Sequence, residues 1–160
     1  MFNIKTHVTD LGQFIEQSTH QLIVLGQPKG IGVTTNMILY FVDKFFFEEP
    51  FNVLILVEDM QTKITVAKIF EKFLLEDYSL KVKFDYSANK LSYLDNNVVI
   101  LSYNHEDKSE LFVPENFKFD YGYVDKDANN QKLNYFLTDY LPIFCKKIII
   151  STYDFEDSIY

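Results

Sequence analysis

Residues Leu22 to Thr35 read LIVLGQPKGIGVTT. Leu22 to Leu25 is an apolar run of strand length, Gly26 to Gly32 is a glycine-rich turn, and Thr34-Thr35 open an apolar helix. Strand, glycine turn and helix in that order are the layout of a phosphate-binding loop, where backbone N–H groups and a helix N-terminus hold phosphates. Against the pattern G-x-x-x-x-G-K-[ST], Gly32 and Thr34 fit, Gln27 replaces the first glycine and Val33 replaces the lysine. The candidate ligand loop is therefore Gln27, Pro28, Lys29, Gly30, Ile31, Gly32, Val33, Thr34 and Thr35. It lacks its usual cation.

Composition limits what such a loop can serve. The 160 residues are 48% apolar with 16 Phe and 11 Tyr, enough for one domain (1–160) with a real core. No apolar run is long enough to span a bilayer, and the start shows no secretory signal, so no membrane role and a cytoplasmic location are expected. The single cysteine, Cys145, excludes an internal disulfide and fits a reducing compartment. His7, His20 and His105 are scattered, which argues against structural zinc.

Charge adds a sharper limit. The formal net charge is -8, and all 15 basic residues are lysines. Without arginine the chain supplies neither an arginine finger nor a bidentate guanidinium clamp. An acidic surface also repels a phosphate backbone, so autonomous DNA binding is not expected.

The hydrophobic pattern alternates strand and helix. A short amphipathic segment around Leu11, Phe14 and Ile15 precedes the Leu22 to Leu25 strand. Thr34 to Phe47 reads as a helix ended by Glu48, Glu49 and Pro50, and Phe51 to Val57 as a strand covered on both faces. Thr62 to Glu76 has helical spacing at Ile64, Ala67, Phe70, Phe73 and Leu74, with Lys63, Lys68, Glu71 and Lys72 on the wet side. Leu80 to Tyr86, Lys90 to Leu94 and Val98 to Tyr103 read as strands, the last two joined through Asp95-Asn96-Asn97. A polar loop from Asn104 to Glu110 leads to a strand over Phe119 to Val124. Gln131 to Phe144 reads as a helix interrupted or bent by Pro142, and Lys147 to Thr152 as a last buried strand. The fold class is α/β: a mainly parallel sheet flanked by helices, with a small antiparallel hairpin.

The chemistry of a phosphate loop needs a second element. In phosphate-loop ATPases a strand ending in Asp-Glu supplies the magnesium partner and the group that orients water, while the loop Thr binds the metal. Here Thr34 takes the loop role and Asp125, ending YGYVD, takes the first acid's role; Lys126 stands where the second acid belongs. Losing the loop cation removes a large electrostatic term, and replacing a base by a cation removes the water-orienting group. Lys29 and Asp127 are the available substitutes. Elsewhere, Glu58 and Asp59 read as a solvated helix start, and Glu106-Asp107-Lys108 as a wet loop. Tyr121, Tyr123, Tyr135 and Tyr140 read as packing residues, and Cys145 as a small buried apolar group.

The ordered segments LIVLGQPKGIGVTTNMILYFVDKFF, FNVLILVEDMQTKITVAKIFEKFL, KLSYLDNNVVILSY, FDYGYVDK and KIIISTYD cover residues 21 to 153. Together they resemble the ATPase domain of the large terminase subunit, the DNA-packaging motor of tailed phages. The resemblance implies a helicase-like (RecA-like) P-loop NTPase core, with ATP and Mg2+ as ligands and Thr34 and Asp125 on the metal. It also implies a basic loop residue at Lys29, a turn at Asp95-Asn96-Asn97, and a coupling motif at Ser151 and Thr152. Val33 and Lys126 depart from the family's catalytic positions, and the nuclease domain is absent from these residues. The expected function is a degenerate terminase-like domain that acts through a protein partner, with weak or no ATP hydrolysis. The alternatives are an active DNA-packaging or DNA-translocating ATPase using Lys29, and an acidic DNA mimic.

Overall fold

The computed structural model describes residues 13–19, 21–26, 33–105, 117–126 and 139–152. Among these residues six strands form one sheet: β1 (Leu22–Gly26), β2 (Asn52–Val57), β3 (Lys90–Tyr93), β4 (Asn96–Ser102), β5 (Phe119–Lys126) and β6 (Cys145–Thr152). Their order is β1-β6-β5-β2-β4-β3. Every neighbouring pair is parallel except β3–β4. The expected α/β class and its antiparallel hairpin are both present.

Strand alternation sorts the core into two layers. Val53, Ile55, Val98, Ile100, Tyr121, Tyr123 and Ile149 face α1 (Val33–Phe47) and α2 (Met60–Tyr78). Leu54, Leu56, Val99, Leu101, Val124, Ile148 and Ile150 face the opposite side, which carries the short α3 (Leu141–Phe144). Helix α1 is buried without interruption from Met37 to Val42. The sheet lies on one side of it, and Ile15 from the helical turn at 13–17 joins the same core cluster. The stacked rings of Phe46 and Tyr78, 4.2 Å apart, join α1 to α2. On the other face the packing is tight at Gly122, where a Cβ would meet Cys145 Sγ at 2.7 Å.

Several local expectations are corrected. Leu80 to Tyr86 is not a strand; only Asp85 makes a bridge, to Lys90. This segment is held to α2 instead, because Phe84 N–H donates to Glu71 Oε2 at 2.8 Å and Leu80 N–H to Leu74 O at 3.0 Å. Lys63, expected on the wet side, is 1% exposed and donates to Asn89 Oδ1, whereas Ile64 is 37% exposed. The hairpin turn is Leu94-Asp95, with Leu94 at φ 54, and Asn96 already belongs to β4. Pro142 lies in the first turn of α3, directly after the helical residues 139–140, and β6 begins at Cys145 rather than Lys147. Residues 131–138 of that expected helix lie outside the described residues.

Candidate functional site

In a parallel sheet, ligands bind outside the carboxyl ends of the strands, so the register there decides which residues can meet. Gly26 of β1 pairs with Thr152 of β6, and Thr152 pairs with Lys126 of β5. One row inward, Leu25 pairs with Ser151 and Ser151 with Asp125. At the usual strand spacing, Gly26 and Lys126 are thus about 10 Å apart across β6. Helix α1 starts at Val33, with six residues between it and the end of β1. The end of the first strand, the acidic strand end and the Ser-Thr strand end therefore share one edge, although they lie far apart in sequence.

Residues Gln27, Pro28, Lys29, Gly30, Ile31 and Gly32, and likewise Asp127, lie outside the described residues. Val33 and Thr34 lie in the first turn of α1, and Thr35 is half-buried. Asp125 is half-buried and, by alternation, shares the α1 face of the sheet with Tyr121 and Tyr123. Lys126 and Thr152 are the last residues of their strands. A helix N-terminus offers backbone donors for a phosphate, and a carboxylate near the end of a strand, such as Asp125, is an acid suited to a divalent cation.

Ser151 behaves differently from an edge residue. It is fully buried, and its hydroxyl lies 2.7 Å from that of Tyr123 on the neighbouring strand. The Tyr123 ring meets Phe41 of α1 edge-on, with centroids 6.0 Å apart. The Ser151 hydroxyl thus connects inward, from the end of β6 through Tyr123 to the helix that follows the loop. Sequence reasoning selected Ser151 but not this pairing, because Tyr123 looks like any core tyrosine until the strands are aligned. Its place two residues before Asp125 was the only available signal.

Other polar groups anchor the frame. Tyr40 and Tyr121 hydroxyls lie 3.0 Å apart, and Tyr40 donates to Glu16 Oε1 at 3.2 Å. Burial raises both phenols above their ordinary values, so they remain neutral donors. The hydrogen bond from Lys44 holds the Glu16 carboxyl below its usual range. Burial pushes the Cys145 thiol up to about 12, which agrees with its reading as an inert packing residue. Asp59 caps α2, its Oδ1 accepting from Thr62 N–H at 2.8 Å, as a solvated helix start should. Tyr121, Tyr123 and Tyr140 are buried as packing residues, and Tyr135 lies outside the described residues.

No family model and no curated protein matches this sequence. Solved structures do resemble it, throughout most of its length. The large terminase of a thermophilic bacteriophage superposes with a TM-score of 0.61 over 91% of this chain, at 11% identity. The large terminase of bacteriophage HK97 superposes with a TM-score of 0.62 over 95%, also at 11% identity. This is a large-terminase fold. The chain spans 38% and 33% of the lengths of those two proteins, so the likeness is to part of each. Within this terminase-like fold, the edge where β1, β5 and β6 end is where the sequence motifs converge. No helix among the described residues is long and apolar enough to cross a membrane, and these residues contain no group of three or more His, Cys, Asp or Glu able to hold a metal.

Proposed function

We propose that this chain is a degenerate terminase-like phosphate-loop domain, which holds Mg-nucleotide weakly, turns it over no faster than background, and works through a protein partner of a phage DNA-packaging assembly. The supporting observation is the common edge of Gly26, Thr152 and Lys126. That alignment sets the end of β1, from which the loop departs, one strand away from the end of β5, and the sequence has Val33 in place of the loop lysine and Lys126 in place of the second acid. Thr34 and Asp125 would hold Mg2+, with the backbone of Gln27 to Thr35 around the phosphates. A bound magnesium ion would neutralise phosphate charge there. Asp125 would fix its position, and the amides of the first turn of α1 would orient the phosphate oxygens.

Loss of a single preorganised donor costs about 2.7–4 kcal/mol of barrier, or two to three powers of ten in rate. Loss of the cation and the base together is consistent with a binding role. The test is calorimetric titration with Mg-ATP and Mg-ADP, alongside a phosphate-release assay with and without DNA. Micromolar to millimolar binding that weakens in Lys29→Ala, with background turnover, is the expected result; DNA-stimulated turnover overturns the reading.

A second reading is favoured by the register of Asp125 opposite Ser151, which suits a working metal acid. In that case the chain is an active ATPase with Lys29 as its cation. Turnover would then be abolished in Lys29→Ala and Asp125→Asn and preserved in Val33→Ala.

A further inference from the structure

The acid missing from the end of β5 has a neighbour one strand away. Leu56 of β2 pairs with Val124 of β5, and Val57 pairs with Ser102 of β4. Continuing both registers puts Glu58 beside Lys126 on one side and beside Tyr103 on the other. Although β2 ends at Val57, Glu58 is still held to the sheet. Tyr103 N–H donates to Val57 O at 2.9 Å, Asn104 N–H to Glu58 O at 3.3 Å, and the Ser102 hydroxyl to Glu58 O at 3.4 Å. The carboxyl edge therefore carries one row, Gly26, Thr152, Lys126 and Glu58, contributed in turn by β1, β6, β5 and the end of β2.

Helix α1 brings its start to the level of that row. The Phe41 ring packs against Tyr123 of β5 and against Phe51, which leads into β2, with centroids 6.0 and 6.4 Å apart. From Phe41 back to Thr34 the helix rises about 10 Å, and from Tyr123 on to Lys126 the strand rises about 10 Å. Among the described residues, the carboxylates and cationic groups at the ends of β2, β4 and β5 are Glu58, Asp59, His105, Asp125 and Lys126. Asp59 is committed to capping α2 through Thr62 N–H, and Asp125 is the metal acid of the reading above. Glu58, half-buried, is the carboxylate that stands beside the position of the absent second acid, the group that faces a terminal phosphate in a phosphate-loop site.

We propose that Glu58 supplies the second acid of this edge from β2, and that it makes the site favour a nucleoside diphosphate over a triphosphate. With Val33 in the loop, no ammonium at position 33 offsets the repulsion between a terminal phosphate and that carboxylate. Glu58 also offsets the charge of Lys126, its neighbour in the row, so the row as a whole gives a terminal phosphate little attraction. A diphosphate lacks the group that the second acid faces, and its binding is indifferent to Glu58. This assignment rests on the nucleotide-holding reading above and names the ligand class of that same site.

The experiment titrates the full chain by calorimetry with Mg-ADP and with the magnesium complex of a non-hydrolysable ATP analogue. The proteins are wild type, Glu58→Gln, Glu58→Asp and, as a remote control, Glu49→Gln, exposed at the opposite edge of the sheet. Expected are tighter binding of Mg-ADP than of the analogue by wild type, and a gain of about tenfold for the analogue in Glu58→Gln, with less than about a twofold change for ADP. Glu58→Asp keeps the charge and should keep the preference, and Glu49→Gln should match wild type. Equal affinity of wild type for the two ligands, or an equal change for both in Glu58→Gln, would overturn the proposal and leave the nucleotide site in place. No binding of either ligand by any of the four proteins would overturn the nucleotide reading and this assignment together.

Discussion

The two ends of the sheet are built on different plans. At the amino ends of the strands, side chains clamp backbone. Asn96 Oδ1 accepts from Phe51 N–H at 2.7 Å while its Nδ2 donates to Phe45 O at 2.8 Å and to Glu48 O. Asp120 accepts from Asn52 N–H at 2.8 Å, Gln21 donates to Pro142 O and Cys145 O at 3.0 Å, and Lys147 donates to Ile15 O at 2.7 Å. At the carboxyl ends, Asp125, Lys126, Ser151 and Thr152 terminate neighbouring strands in register beside the start of α1. One end is organised to hold loops and helix ends to the sheet. The other gathers chemistry-bearing residues from distant parts of the sequence, as expected where a rigid scaffold presents a site.

The largest effect that would sharpen this contrast comes from Asn96. Asn96→Ala deprives one N–H and two carbonyls of their side-chain partner at once, and is expected to destabilise the fold by about 3 kcal/mol. Urea denaturation measures this, and a loss below about 1 kcal/mol would remove Asn96 from the anchoring role. A smaller effect is expected at the opposite end. Tyr123→Phe takes one partner from the buried Ser151 hydroxyl and should cost about 1–2 kcal/mol. In a double-mutant cycle, Tyr123→Phe/Ser151→Ala should cost less than the sum of the single changes, and strict additivity would deny the pairing.

The smallest effect concerns pH. The folded carboxyl of Glu16 lies below its ordinary value of 4.5, chiefly through the Lys44 hydrogen bond. Its contribution is therefore present above the unfolded value and is lost as pH falls through the folded one. Because Glu16 is half exposed, solvent screening limits that contribution to a few tenths of a kcal/mol. Thermal melts at pH 7 and pH 3 should thus show a slightly larger drop in wild type than in Glu16→Gln. Equal drops would mean that the pair is electrostatically silent.

Periodicity revealed α1, the buried β2 and the core of α2, because each alternation or helical repeat records burial by the element itself. It failed at Lys63 and at residues 80–86 for a shared reason. Lys63 is buried because Asn89 returns to meet it, and residues 80–86 forgo strand pairing because Glu71 takes the N–H of Phe84. Asn96 was misread in the same way: local turn chemistry suggested the centre of the hairpin, whereas its three backbone partners lie 45 to 51 residues away. Within the site, Asp125 and Ser151 were identifiable as polar residues ending apolar strands. The Tyr123–Ser151 bond was not, since it depends on the alignment of β5 with β6.

By itself, then, the sequence determined the α/β class, the strand and the helix on either side of residues 27–32, and the absence of lysine at position 33, of a second acid at 126 and of any arginine. These follow from residue identity and local spacing. Only the tertiary structure decided that β6 lies between β1 and β5, which aligns Gly26, Thr152 and Lys126 and turns the Ser151 hydroxyl toward Tyr123. It also decided that residues 80–89 fold back along α2 and bury Lys63 against Asn89. The physical reason is the same in both cases. Local sequence carries the burial pattern of each element, but strand order and side-chain partners are selected when all the elements compete to satisfy one core and its backbone hydrogen bonds.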